Sequence, residues 1–488
     1  MTEILDLSAV ELGRKIKNGD IGVREATQAT LDAIDNSSLN AYITVTDDEA
    51  LKSAENIQKG IKDGSLSSPI AGVPAAVKDN ICTKGVKTTC ASHILGDFRP
   101  PYSATVVERM EAAGAVIVGK TNMDEFAMGA SNETSYYGPA KNPWNEEHVP
   151  GGSSGGSGAA VAGGQAFYAL GSDTGGSVRN PAGFCGITGM KPTYGTVSRY
   201  GLIAYASSLD QIGVLGKSAE DIAAVLDTIG GRDPQDSTSV DTDCGTFLSS
   251  LSGDIRGMKI GLPEECFGEG VDENVRKLVL EAGEVLKSRG AELHSFSMPL
   301  TKYAVAAYYL IACAEASSNL SRFDGVKYGF RAENYEDIRS LHENTRSEGF
   351  GWEVKERIML GTFALSSGYY DAYYKKAQQV RAAISCAYDE AFEKYDLILS
   401  PVSPDTAPRI GEKSSDSLKK YLSDIFTVSV NLAGLPGISI PCGFAENGLP
   451  VGAQLIGKAL RDKTVLGAAH AYQMNTDYHK MIAKRGAK

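Results

Sequence analysis

Two glycine-rich stretches put serine hydroxyls where backbone can close in on them: "VPGGSSGGSGAAVAGG" at 149–164 and "LGSDTGGSVRNPAGFCGITGMKPTYG" at 170–195. In the second, Asp173, Thr174, Gly175 and Gly176 form a tight turn just before Ser177, so successive N–H groups can be directed at one spot beside its hydroxyl. An oxyanion hole requires such donors, aimed at the charge that develops on a carbonyl oxygen under attack and worth about 3 kcal/mol each. On this reading Ser177 is the nucleophile and the N–H groups of Thr174, Gly175, Gly176 and Ser177 face the oxyanion. Ser153, in the first turn, is the proton acceptor.

Two short motifs compete for the same region. "GGSSG" at 151–155 fits G-x-S-x-G, the nucleophile elbow, with Ser153 as nucleophile. That frame needs a strand directly before the serine, but the polar loop "KNPWNEEHVP" precedes it. It also needs an acid and then a histidine downstream. His294 falls in a strand pattern and His470 in a helical one, while His148 lies upstream and breaks the chain order. "GAVIVGKT" at 114–121 fits the phosphate-binding pattern G-x-x-x-x-G-K-[ST] letter for letter. Its apolar "AVIV" reads as the strand itself rather than the wrapping loop, and "TNMDEFAMGASNETSYYG" follows as loop rather than helix. An ATP-binding scaffold using Lys120 is therefore the alternative of a different class.

The elements that must position these residues read as alternating α/β structure. "LSAVELGRKIKNG", "VREATQATLDAIDN" and "TDDEALKSAENIQKGIKDG" carry apolar residues at helical spacing, so 1–65 is expected as a helical segment packed on a core of 66–488. "SPIAGVPAAVKDNI" reads as a strand that delivers Lys78 and Asp79 at its end. "GAAVAGGQAFYALG", between the two serine turns, reads as a buried helix running into a strand. The polar connection beginning "GRDPQDSTSVDTDCG" is expected to mark a lobe boundary within 231–257. Beyond it a strand-helix-strand unit, long helical patterns at 302–323 and 352–395, and late strands at "DLILSPVSP", "GISIPCG" and "PVGAQLIG" complete the pattern.

"GGSSGGSGAAVA", "GSDTGGSVRNPAGFCG" and Lys78 in "GVPAAVKDNI" together resemble the amidase signature family, over essentially the whole chain. The resemblance implies a large mixed β-sheet enclosed by helices and a Ser-cisSer-Lys triad. By position Ser177 is the acylated serine, Ser153 the bridging serine with a cis peptide bond before it, and Lys78 the base. Lysine takes a proton only when neutral, so working near pH ~7.5 requires its pKa to drop about 3 units from about 10.4, at about 4 kcal/mol. Lys78 is therefore expected to be buried.

The C-terminal segments "AEASSNLSRFDGVKYGFR", "NTRSEGFGWEVKERIMLGTFALSSGYYDAYYKKAQQVR" and "LKKYLSDIFTVSVNLAGLPGISIPCG" are similar to those of glutaminase subunits of tRNA-dependent amidotransferases. This implies glutamine as substrate, with Arg357 for its α-carboxylate, Asp424 for its α-ammonium and Tyr308 as a further contact. It also implies a heterotrimer with a tRNA-handling B-subunit and a small C-subunit. The ammonia would serve to amidate Glu-tRNA(Gln) or Asp-tRNA(Asn). ATP and Mg2+ belong on the partner, with no cofactor or metal on this chain. The same triad in a stand-alone amidase for other small amides is the alternative within the family.

Composition agrees with that division of labour. A formal charge of −12 over 488 residues argues against tight direct binding to a polyanion, because such affinity rests on Lys and Arg neutralising phosphates. The eight cysteines are scattered without a CxxC pair, and the Cys90/His93 spacing has no second pair to complete a metal site. The opening "MTEILDLSAVELGRKI" lacks the basic start and apolar run of a secretory signal, so a cytoplasmic protein without a membrane span is expected.

Overall fold

The fold is taken from a computed structural model that describes residues 2–242, 244–412 and 424–483. Among these, eleven strands form one sheet: β1 (Tyr42–Val45), β2 (Pro74–Lys78), β3 (Val116–Thr121), β4 (Tyr168–Asp173), β5 (Thr188–Lys191), β6 (Gln211–Gly216), β7 (Lys259–Pro263), β8 (Glu292–Phe296), β9 (Leu397–Pro401), β10 (Gly437–Phe444) and β11 (Pro450–Gly457). Their order is β1-β3-β2-β4-β6-β5-β10-β11-β9-β7-β8. The sheet is mixed: β2 runs parallel to β3 and β4, and β7 parallel to β8 and β9, whereas the other neighbours are antiparallel.

Every residue of β2, β4, β6, β9 and β11 is buried. Successive side chains of a strand point to opposite faces, so burial of all of them means that both faces are covered. This is the large mixed sheet enclosed by helices that the sequence implied. The helices begin where side chains can satisfy their free N–H groups: Ser8 with Glu11 and Ser218 with Asp221 form capping boxes, and Asp272 accepts from Asn274 and Val275. In the first of these helices Leu12 and Ile16, four apart, face the core.

One detail differs from the sequence pattern, and one agrees with it. The helical stretch at 352–395 is two helices, Trp352–Leu365 and Tyr374–Phe392, parted by "SSGYYDAY", where Gly368 turns the chain with φ +90°. The phosphate-loop lookalike is not a loop at all: Val116–Thr121 is β3, and Lys120 lies within it. The connection 231–257 leads from the helix Ala219–Ile229 to β7, which rejoins the same sheet. No described helix is long and apolar enough to cross a membrane.

What matters for the site is the pairing of β2 with β4. They run parallel with Val77 opposite Leu170, so their C-terminal ends lie side by side. Lys78 ends one and Ser172 and Asp173 end the other. The carboxyl edge of parallel strands is where open α/β sheets build sites, because the chain leaves the sheet there in loops.

Candidate active site

Lys78 is fully buried at the end of β2 and makes no ion pair among the described residues. Its Nζ donates to Ser153 Oγ at 2.7 Å, Ser154 Oγ at 2.8 Å and the Ser172 carbonyl at 3.2 Å. Burial lowers its pKa to about 7, against the opposing pull of Asp124, Asp173 and Asp210. The amine is thus held near neutrality with a serine hydroxyl in front of it.

The Ser153 turn is built from glycine for lack of room. The Gly152–Ser153 peptide bond is cis. A Cβ on Gly152 would meet Asp124 Oδ2 at 2.0 Å and the Ser131 nitrogen at 2.5 Å, so no larger residue fits. The turn is fixed on two sides: Asp124 N–H donates to the Ser153 carbonyl at 3.1 Å, and the Gly152 N–H reaches Asn180 Oδ1 at 3.3 Å. The helix Gly155–Ala162 starts immediately after it, wholly buried.

The second turn is tied to the first by the Ser154 N–H, which donates to the Ser177 carbonyl at 3.1 Å. Ser177 is 7% exposed whereas Lys78 and Ser153 are both at 0%, and its hydroxyl has no hydrogen-bond partner among the described residues. Asp173 organises the turn from within. Its carboxylate accepts from the N–H groups of Gly176 at 2.8 Å and Val178 at 3.1 Å, and pairs with Arg179 through Nε at 3.1 Å and Nη2 at 3.0 Å. Burial alone would raise this carboxyl, but the Arg179 charge and its hydrogen bonds hold it well below the usual carboxylate range. The Gly176 N–H is thereby committed to Asp173, whereas the amides of Thr174, Gly175 and Ser177 have no acceptor among the described residues. Gly176 itself sits at φ +137°, with Thr427 Oγ1 2.3 Å from where a Cβ would be.

Tyr308 and Asp424 lie against this turn, and Arg357 is joined to it through Tyr205 and Asp210. Tyr308, in the helix Ala304–Asn319, lies on Gly175: a Cβ there would meet its Cζ at 2.6 Å. Asp424 is stitched on through Thr427, whose N–H donates to the Asp424 carbonyl at 3.0 Å and whose hydroxyl donates to the Gly175 carbonyl at 2.6 Å. Burial pushes the Asp424 carboxyl up to about 7, moderated by the Arg357 charge. Arg357, buried in the helix Trp352–Leu365, gives Nε and Nη2 to Glu353 Oε1 at 3.0 and 2.8 Å and Nη1 to the Tyr205 hydroxyl at 2.6 Å. Three of the five guanidinium N–H groups are engaged in these bonds, and the remaining two suit a carboxylate.

Sequence reasoning missed several residues that hold these groups. Ser154 shares the Lys78 amine, and its only signal was adjacency to Ser153. Asp173 and Arg179 were visible within one motif, six apart, but their pairing was not. Asp210 accepts from Thr174 Oγ1 at 2.7 Å and from the Tyr205 N–H at 2.9 Å, joining the oxyanion turn to the Arg357 neighbourhood. No local pattern announced it. The discarded candidates sit elsewhere: His148 Nδ1 lies 2.7 Å from the Ala407 carbonyl, and buried Lys120 donates to the Ile81 carbonyl at 2.7 Å and Thr88 Oγ1 at 2.8 Å beside Asp79. Among the described residues no group of three or more His, Cys, Asp or Glu is placed to hold a metal ion.

A glycine-bound serine turn, a second serine on a buried near-neutral lysine and a mixed enclosing sheet agree with family comparison: the amidase family model matches residues 25–466, and the chain belongs to that family, the amidase signature enzymes. Within it, the chain is 57% identical to the A-subunit of glutamyl-tRNA(Gln) amidotransferase from Lachnospira eligens, over 96% of this chain and 98% of that one. It is 55% identical to the protein of the same description from Carboxydothermus hydrogenoformans, over 99% of this chain and 100% of that one. The crystal structure of the Thermotoga maritima glutamyl-tRNA(Gln) amidotransferase A-subunit superposes with a TM-score of 0.79 at 43% identity, covering 100% of this chain and 97% of that one.

Proposed function

We propose that this amidase is the glutamine-hydrolysing A-subunit of a glutamyl-tRNA(Gln) amidotransferase, with Lys78, Ser153 and Ser177 as its triad. The observation that carries the chemistry is the buried Lys78 amine, near neutrality and 2.7 Å from Ser153 Oγ. Ser177 Oγ attacks the side-chain amide carbon of glutamine as its proton passes to Ser153 and the Ser153 proton passes to Lys78. The N–H groups of Thr174, Gly175 and Ser177 stabilise the oxyanion. Lys78 then returns the proton through Ser153 to the departing nitrogen, the C–N bond breaks, and ammonia leaves a glutamyl ester on Ser177. Water, deprotonated by the same relay, cleaves the ester to glutamate and restores the serine.

Substrate choice follows from charge. A free amino acid brings a carboxylate and an ammonium into a site with little solvent, and each needs an opposite charge. Arg357 answers the first and Asp424 the second, with Tyr308 between them and the nucleophile turn. The relatives' names support a subunit of a glutamyl-tRNA(Gln) amidotransferase; on our reading the ammonia is used in the cytoplasm by a tRNA-handling B-subunit, with a small C-subunit completing a heterotrimer, to amidate Glu-tRNA(Gln) or Asp-tRNA(Asn). ATP and Mg2+ are assigned to the partner, and a net charge of −12 suits a chain that leaves tRNA to that partner.

The test is ammonia release from glutamine together with trapping of the acyl-enzyme. Ser177→Ala is expected to abolish both, and an adduct found on Ser153 instead would overturn the assignment. Arg357→Ala is expected to raise the KM for glutamine by about 30-fold or more, the scale of a lost charge-assisted hydrogen bond. An enzyme that turns over simple amides equally well and ignores Arg357→Ala would be a stand-alone amidase.

A further inference from the structure

The residue after Asp124 has a role that the reaction steps do not use. Glu125 is 2% exposed and makes no ion pair among the described residues. Its carboxylate instead accepts the Gly351 N–H, at 2.9 Å through Oε2 and 3.1 Å through Oε1, together with the Ser92 hydroxyl. Burial pushes the carboxyl up to about 7, moderated by these donors and by Lys355.

Gly351 is the residue before the helix Trp352–Leu365 and has no side chain with which to cap it. Glu125, 226 positions earlier, accepts the N–H of this N-cap residue, the bond that the N3 side chain of a capping box makes, and so ties the start of the helix down. The fit is close, since a Cβ on Gly351 would meet Glu125 Oε2 at 2.3 Å. The next residue grips the same point: Phe126, in the left-handed region at φ +49°, packs its ring 5.6 Å from Phe350 and 5.0 Å from Phe323. On the other side, Asp124 holds the Ser153 carbonyl through its N–H at 3.1 Å. Three consecutive residues therefore touch the Ser153 turn at one end and the start of the Arg357 helix at the other.

We propose that Glu125 is a positioning residue for substrate binding: by fixing the first turn of the helix Trp352–Leu365 to the segment that holds the Ser153 turn, it sets Arg357 at the distance that presents a bound amino-acid amide to Ser177. This rests on the reading of Arg357 as the carboxylate clamp. Glu125 touches neither the reacting atoms nor the substrate. It acts through the helix.

Steady-state hydrolysis of glutamine, and of a primary amide without an α-carboxylate, by the full-length chain in its active form tests this. Glu125→Ala is expected to raise the KM for glutamine about tenfold while kcat stays within about threefold, and to leave the simple amide unaffected. Glu125→Gln keeps an acceptor for the Gly351 N–H and is expected within about threefold of the unmodified enzyme. Glu125→Asp, one methylene too short to reach, serves where the alanine variant does not accumulate, with the same rise in KM. Glu125→Ala combined with Arg357→Ala is expected to show no higher KM than Arg357→Ala alone, because the two act through one contact. An unchanged KM in Glu125→Ala, an equal fall in kcat on both substrates, or KM effects that multiply in the double variant would each overturn the inference. If Arg357→Ala itself leaves KM unchanged, the clamp reading is what fails. If it raises KM and Glu125→Ala does not, the positioning role alone fails.

Discussion

The pH profile of acylation is where the proposed triad is most exposed to test. Burial sets the Lys78 pKa at about 7, and only the neutral amine can take a proton from Ser153. The competent fraction is then about one tenth at pH 6, one half near pH 7 and nine tenths at pH 8. The rate of ammonia release should rise tenfold per unit below about pH 6.5 and level off above about pH 8. A solvated lysine at about 10.4 would leave about one amine in a thousand neutral at pH 7.5, and the rate would still be climbing at pH 9. Asp424 adds a second dependence of the same sign. Its carboxyl is also pushed up to about 7 by burial and must be ionised to hold an ammonium. For glutamine kcat/KM should therefore fall about a hundredfold per unit below about pH 6, and for an amide without an α-ammonium only about tenfold. Rapid-quench measurement of the first turnover between about pH 5 and 9 separates these outcomes. Lys78→Ala should slow it about 100- to 10,000-fold, and Lys78→Arg equally, because guanidinium stays protonated. With the amide that lacks an α-ammonium, a rate still rising linearly at about pH 9, or an inflection near 7 that survives in Lys78→Ala, would refute the assignment of Lys78 as base.

Two further outcomes follow from the geometry. Gly152→Ala would place a methyl 2.0 Å from Asp124 Oδ2 in a turn with no room to yield, so a loss of activity at least as large as that of Ser153→Ala is expected in the first-turnover assay. Asp173→Asn leaves the Arg179 guanidinium buried without its counter-charge, at about 3–5 kcal/mol, which a shift in the denaturant midpoint would register; an unchanged midpoint would mean that Gln454 and Asn431 suffice to hold it.

Much of the fold was legible because its signals are local. The runs of β2, β4, β9, β10 and β11 and the helices near the N-terminus follow from apolar spacing. The break in the helical stretch at 352–395 was not, since "SSG" is a weak stop signal and Gly368 takes φ +90° only where the next helix must pack back. In the site, the two serine turns were legible from glycine density. The grips on them were not: Asp124, Asp210, Thr427 and Glu125 are ordinary polar residues in their own segments.

The two lysines at the ends of neighbouring strands show where the division falls. Sequence alone put Lys78 at the end of one strand and Lys120 shortly after the strand "AVIV", and the serine motifs around 153 and 177 pointed to the kind of chemistry on offer. The family resemblance had singled out Lys78; the tertiary structure decided where each amine goes. In the parallel pairing of β2 with β3, Lys120 lies opposite Val77 and Lys78 opposite Thr121, one step out of phase. Side chains alternate across a sheet, so the two amines leave on opposite faces. Lys120 meets Asp79, a hydroxyl and a carbonyl, and there the Asp79 charge opposes the lowering of its pKa by burial. Among the described residues Lys78 meets two serine hydroxyls, a carbonyl and no paired charge, and desolvation that outweighs the pull of Asp124, Asp173 and Asp210 is what lowers it to the point where it can act as a base.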